Sequence, residues 1–256
     1  MLHYVLAMSK SFSASYYTLI DVMEKKHFWY TERSHVIAQL LSRMIPKRKG
    51  KTFLEIGCGT GILLPIIESL GFRVTGMDIN FEALKYARMK SHASLIRSSL
   101  FTYKKKQTFD VIGMFDVFEH QTDDQKFLSL CNRLLKPNGY VCMSVPSHMW
   151  LWSQIDTLSG HVRRYELTDL KNKLNKEGFT VIFSNHWNVF LFPLYVVWRI
   201  QFFLVHKKFS MKRYLQAPYP PINELCKYIL HKECSLFFSI SFPFGSSLFV
   251  VARKNR

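Results

Sequence analysis

Phe53-Leu54-Glu55-Ile56-Gly57-Cys58-Gly59-Thr60-Gly61 reads as the end of a buried strand running straight into three alternating glycines. Without a Cβ at those positions the backbone can come within contact distance of a bound molecule. Val74-Thr75-Gly76-Met77-Asp78-Ile79 follows and reads as the end of the next strand. An acid placed there can accept hydrogen bonds from both hydroxyls of a ribose. Glycine turn and ribose acid together predict a nucleotide-type cofactor on a Rossmann-like sheet.

Several cofactors use such a turn, and its details choose among them. The spacing is G-x-G-x-G, without the G-x-G-x-x-G that seats a pyrophosphate on a helix terminus. Glu55 would repel two phosphates, whereas the cationic sulfonium and amino group of S-adenosylmethionine favour a carboxylate beside them. At this point the chain resembles the class I S-adenosylmethionine-dependent methyltransferases. Leu54 to Gly61 resembles their first motif and the Asp78 strand their second. Phe109-Asp110-Val111-Ile112-Gly113-Met114-Phe115-Asp116-Val117-Phe118-Glu119-His120 resembles their fourth strand, and Leu135 to Pro146 their fifth. The four elements stand in the family's order over roughly residues 50–185. An oxidoreductase is the weaker alternative. Gly160-His161-Val162-Arg163-Arg164-Tyr165 and His27-Phe28-Trp29-Tyr30-Thr31-Glu32-Arg33 resemble a branch close to the ubiquinone-biosynthesis methyltransferases.

At 256 residues the chain has room for one α/β domain and an insertion. Its five cysteines, at 58, 131, 142, 226 and 234, form no C-x-x-C pair and no zinc spacing with histidine. No metal site is expected, and free thiols point to a reducing, cytoplasmic compartment. Met1 to Lys10 lacks the basic start and long apolar core of a signal peptide. The formal charge of +17 concentrates any anionic partner, nucleic acid or acidic lipid, without choosing between them. It is also read as a compositional habit of the source.

The fold expected is α/β: a Rossmann-like, seven-stranded, mostly parallel sheet with helices on both faces and an apolar, basic insertion before the last strand. Residues 1–49 read as an N-terminal helical cap, with an apolar stripe at Val36, Ile37, Leu40, Leu41 and Met44 facing the sheet. Residues 50–185 read as the cofactor-binding core, 186–244 as the insertion and 245–256 as the final strand. Lys136-Pro137-Asn138-Gly139 reads as a turn launching the fifth strand at Tyr140.

The insertion is apolar from Val189 to Val205, interrupted by Arg199 and Gln201, and a basic run from His206 to Arg213 follows. A charge at that depth is costly in hydrocarbon, which disfavours a true span. An element at the inner face of an anionic membrane is one reading. The other is a lid in which this segment and Leu236 to Phe244 pack together over the site.

The family resemblance carries Glu55, Gly57, Gly59 and Gly61 over to the methionine end and ribose of the cofactor. It carries Asp78 to the ribose hydroxyls and Ile79 to the adenine. Where family members hold the adenine amino group with an acid, this chain has Ser98 and Ser99, whose hydroxyls are weaker acceptors. Phe115 and Asp116 end the fourth strand as the ligand floor, and Glu119 or His120 closes over the methionine moiety. His120, His148 and His161 are candidate bases for a hydroxyl acceptor, since histidine titrates near neutrality. Trp29, Trp150 and Trp152 are candidate walls of an apolar acceptor site. Arg163 and Arg164 either bind a carboxylate or phosphate of the acceptor or tie their loop to a helix C-terminus or to Asp156. The expected activity is methyl transfer, O- or C-directed, to a small amphiphilic or lipid-like acceptor. An RNA or protein methyltransferase is the alternative, although no Asn/Asp-Pro-Pro-Tyr motif occurs. A catalytically silent relative that binds membranes or a partner is the third. Oligomeric state is left open.

Overall fold

The computed structural model describes residues 14–104, 108–204 and 216–255. Two helices lead, α1 (Ala14–Lys26) and α2 (Phe28–Met44). His27 separates them in extended conformation, its Nδ1 accepting the Trp29 N–H at 3.1 Å as an N-cap. Then come β1 (Thr52–Ile56), α3 (Leu64–Ser69), β2 (Arg73–Asp78), α4 (Phe81–Lys90), β3 (Ser94–Arg97) and β4 (Phe109–Phe115). Helix α5 (Asp124–Leu134), β5 (Leu135–Pro146), α6 (Gln154–Leu158), α7 (Leu167–Lys176) and β6 (Phe179–Trp187) follow. Helices α8 (Phe192–Leu204) and α9 (Pro220–Leu236) precede the last strand, β7 (Ser247–Lys254).

The seven strands form one sheet in the order β3-β2-β1-β4-β5-β7-β6. All neighbours pair in parallel up to β5, and β7 runs antiparallel to both β5 and β6. The expected mostly parallel seven-stranded sheet is therefore present. Its two faces bury different residues, as a pleat requires. Phe53, Val111, Cys142 and Phe249 pack under α2 and α3, whereas Leu54, Ile112, Val141, Met143 and Val250 pack under α5 and α7. The α2 stripe Val36, Ile37, Leu40 and Leu41 is fully buried.

The turn expected at residues 136–139 is absorbed into β5, which already begins at Leu135 opposite Phe109. A register shift between Phe109 and Val111 takes up the extra residues, with Asn138 at φ 61. Lys136 anchors the bend through a 2.7 Å ion pair with Asp110.

Asn185 near the end of β6 stitches down the stretch after α9. Its amide donates to the carbonyls of Phe237 and Ile240, both at 2.7 Å, and its Oδ1 accepts the Phe242 N–H at 2.8 Å. Phe190 meets Phe242 and Phe192 meets Phe244, so the two apolar stretches before β7 touch. Among the described residues no helix is long and apolar enough to cross a membrane. The basic run expected at 206–213 lies outside the described residues, as does Met1 to Lys10.

Candidate active site

Strand order reverses between β1 and β4, so a crevice opens at the carboxyl ends of these strands. Glu55, Asp78 and Asp116 all sit along that edge because β1, β2 and β4 run in parallel register. The turn after β1 holds Gly57, Gly59 and Gly61 at φ 69, 53 and 78. A Cβ on Gly61 would lie 2.7 Å from Ala87 on α4, so that glycine serves the packing of turn on helix. A Cβ on Gly59 would meet nothing within 4 Å: this backbone faces open space. Its N–H donates to Asp78 Oδ2 at 2.9 Å, and Asp78 Oδ1 accepts the Asn80 N–H at 2.8 Å.

Charge in this crevice is lopsided. Glu55 is buried, and burial raises its carboxyl to a pKa of about 8, against the opposing charge of Arg33 and with Glu24 and Asp78 adding to the rise. Its Oε2 has no hydrogen-bond partner among the described residues. Burial likewise raises Asp78, and Glu119 is pushed well up by burial and by Asp116. Arg33 is a cation of α2 inside this acidic set. It pairs with Asp116 and donates through Nη2 to the Phe115 carbonyl at 2.8 Å, with its guanidinium 5.4 Å from the Trp29 ring centre. Glu24 of α1 accepts from the Thr60 hydroxyl of the glycine turn and pairs with Lys90 at 3.2 Å. An orphaned buried carboxylate, an open glycine and a ribose-ready acid fit a compact cationic ligand with two vicinal hydroxyls. S-adenosylmethionine has those features.

Sequence reasoning missed the roles of Arg33, Glu24 and Thr60. Arg33 carried a signal all the same. It lies three, four, seven and eight residues ahead of Val36, Ile37, Leu40 and Leu41, at the head of the buried stripe, where a lone cation needs a partner. Ser98 and Ser99 are engaged locally: the Ser98 hydroxyl donates to the Ser99 carbonyl at 3.0 Å and the Ser99 hydroxyl accepts the Phe101 N–H at 3.3 Å. Ile79 is partly buried, and its carbonyl accepts Arg97 Nε at 3.5 Å.

The three histidines fall in two places. His120 and His161 meet with ring centres 4.9 Å apart beside Glu119. The His161 Nδ1 lies 3.0 Å from Asp156 Oδ1, and its Nε2 faces Glu119 Oε1 across 3.8 Å, too far for a hydrogen bond. His120 Nδ1 lies 3.0 Å from the Gly160 carbonyl, and burial, helped by His161, lowers its pKa to about 4. His148 stands apart after β5 at φ 61, 3.1 Å from Glu166 and stacked on His186. One ligand atom each from Glu119, His120 and His161 lies within 4.8 Å of the others, a set that can hold a divalent ion although sequence spacing gave no metal signal. The carboxylate behind His161 and the carbonyl behind His120 are the partners that metal-bound histidines commonly have.

The arginines are committed. Arg163 pairs with Asp124 at 2.6 Å and Arg164 with Asp156 at 2.8 Å, and Arg164 Nη1 also donates to the Ser147 carbonyl. Arg199 of α8 reaches the same Asp156 at 2.7 Å. Burial alone would raise Asp156, but the His161 hydrogen bond and the two arginines outweigh it and hold the carboxyl well below its usual range. Trp29 packs on Trp187, Trp150 is exposed beside His148, and Trp152 is half-buried.

The sequence profile of the methyltransferase domain family matches residues 28–183, from the start of α2 into β6. This chain belongs to that family. It is similar to a ubiquinone biosynthesis O-methyltransferase of Thiobacillus denitrificans, 32% identical over 136 residues, covering 47% of this chain and 59% of that protein. It is also similar to a probable S-adenosylmethionine-dependent methyltransferase of Mycolicibacterium smegmatis, 28% identical over 170 residues and 63% of each chain. This chain thus spans less than two thirds of the length of these relatives. In fold it resembles phosphoethanolamine N-methyltransferase 2 of Haemonchus contortus, solved with S-adenosyl-L-methionine. The TM-score is 0.65 at 17% identity, covering 96% of this chain and 58% of that one. The cofactor of this family is S-adenosylmethionine.

Proposed function

We propose that this methyltransferase acts on a hydroxyl of a small, amphiphilic or lipid-like acceptor, with His161 receiving the proton. The bound cofactor supplies an already activated methyl, so the protein mainly provides alignment and a dry cavity. The observation that carries the reading is the pair His161 and Asp156. With Nδ1–H donated to a carboxylate, Nε2 is left as the lone pair facing the gap beside Glu119. Asp156 then stabilises the imidazolium once the proton arrives. His120, held near pKa 4, takes up a proton far less readily at neutral pH.

Replacing His161 with Ala should lower turnover about 10²- to 10⁴-fold and leave S-adenosylmethionine affinity by calorimetry unchanged. Extracted lipids, quinone precursors and RNA serve as acceptors in the assay. An equal loss from His148→Ala, or small and equal losses from all three histidines, would remove His161 from the role. Transfer to RNA alone would favour the nucleic-acid alternative, and no transfer with retained cofactor binding would favour a silent relative. A C-directed reaction would need no such base. A second reading rests on the Glu119, His120 and His161 cluster: a divalent ion there would polarise the acceptor oxygen. Turnover that falls on chelation and returns with added Mg²⁺ or Zn²⁺ would support it.

A further inference from the structure

Helix α8 has two unlike faces. Its inner face sends Arg199 to Asp156 and Tyr195 Oη to Arg164 at 3.1 Å. Its outer face carries Leu194, Val197 and Ile200 at 67%, 56% and 48% exposure, three residues apart along one stripe. At the start of the helix, buried Phe192 packs between two exposed rings, 6.1 Å from Trp150 after β5 and 5.5 Å from Phe244, which bring the apolar surface round to the carboxyl end of β5. Such a contiguous apolar surface needs an occupant.

We infer that the α8 face, with Trp150 and Phe244 at its rim, seats on an anionic bilayer surface. Charge selects this occupant. The described α8 sequence, FPLYVVWRIQFFL, contains no acid, and its one cation is turned inward. Lys207, Lys208, Lys212 and Arg213 follow it closely in the sequence, within a chain of net charge +17. A second copy would bring this cationic excess against its like, whereas acidic headgroups neutralise it. A tryptophan at the rim of an apolar face suits the headgroup level. The thirteen described residues of the helix are too few to cross a bilayer, and with Arg199 turned to Asp156 they suit an element lying on its surface. Seating there would bring Asp156, which Arg199 of α8 holds, and with it His161 close to the surface where an amphiphilic acceptor resides. In that respect the inference rests on the proposed acceptor class, although vesicle binding is measured without any methyl transfer.

The test is co-sedimentation with vesicles of phosphatidylcholine containing phosphatidylglycerol, against phosphatidylcholine alone. The chain should bind the anionic vesicles and lose most of that binding at high salt. The double variant Leu194→Asp/Val197→Asp should bind at least about tenfold more weakly while retaining S-adenosylmethionine affinity. Trp150 emission gives an answer without that variant: it should shift to the blue on anionic vesicles, a shift absent from Trp150→Phe. Wild-type chain that neither sediments nor shifts overturns the inference, as does a double variant that binds normally. A dimer that the double variant dissociates, or RNA binding without vesicle binding, would overturn it too.

Discussion

Buried Arg33 on α2 forms an ion pair with half-buried Asp116 just after β4, joining the N-terminal helices to the centre of the sheet edge. Asp116 sits at φ 57 and accepts from the Ser144 hydroxyl at 3.2 Å, so the pair is framed by β5 as well. A buried pair broken on one side leaves an uncompensated charge. Because Asp116 keeps some contact with water, Arg33→Leu should cost about 1–3 kcal/mol in urea unfolding, less than a fully buried pair would. Adding Asp116→Asn, which tolerates the left-handed backbone, should recover part of that loss. A double variant no better than the sum of the single ones would mean that Arg33 acts through Phe115 or Trp29 instead.

Two glycines of the turn after β1 should respond differently to the same substitution. Gly61→Ala places a methyl 2.7 Å from Ala87 and adds backbone strain at φ 78. It should cost about 3 kcal/mol or more. Gly59→Ala has strain at φ 53 but open space around its Cβ, so it should cost only about 1–2 kcal/mol. Its effect should fall on the ligand, with S-adenosylmethionine binding weakened at least about tenfold by calorimetry. Unchanged affinity in Gly59→Ala would place the cofactor elsewhere.

The sheet and the glycine turn after β1 were legible because both are written locally. Four residues before the glycines alternate between faces, and Asp78 closes the next strand, so neighbouring positions in sequence carry the pattern. The acceptor end was only partly legible. His161 appeared as a candidate base, yet what sets it apart from His120 and His148 is Asp156, and that carboxylate is fixed by Arg199 from a helix forty-three residues away. Arg164 was read with two alternatives, of which Asp156 is the partner found. The bend at residues 136–139 was read as a turn because its residue types favour one. Pairing of Leu135 with Phe109 across the sheet overrides that local preference.

Asp156 should be the acid-sensitive joint of the acceptor end. Its carboxyl is depressed in the folded chain by His161 and two arginines, so its stabilising effect is complete above the ordinary carboxylate range. Asp156→Asn should cost about 3–5 kcal/mol at pH 7, since Arg164 and Arg199 are left buried without a counter-charge. Below about pH 4 the unfolded carboxyl takes up protons before the folded one, and the difference between variant and wild type should shrink. A difference that stays constant down to pH 2 would show that packing, not charge, is lost.

Glu55 should behave in the opposite sense. Its folded pKa of about 8 lies above its unfolded value, so the ligand-free folded chain holds a proton that the unfolded chain gives up. That contribution is fully present below the unfolded pKa and disappears as pH rises through 8. Glu55→Gln, which keeps the shape without the ionisation, should therefore raise the melting temperature at pH 8 by roughly 5 °C, with the gain fading toward pH 5. A cationic ligand reverses the preference by favouring the carboxylate. Wild-type chain should consequently release up to about one proton on binding S-adenosylmethionine at pH 7, read by calorimetry in buffers of different ionisation enthalpy. Glu55→Gln should release none and bind at least about tenfold more weakly. Equal proton release in both proteins would separate the buried carboxylate from the sulfonium and amino group of the cofactor.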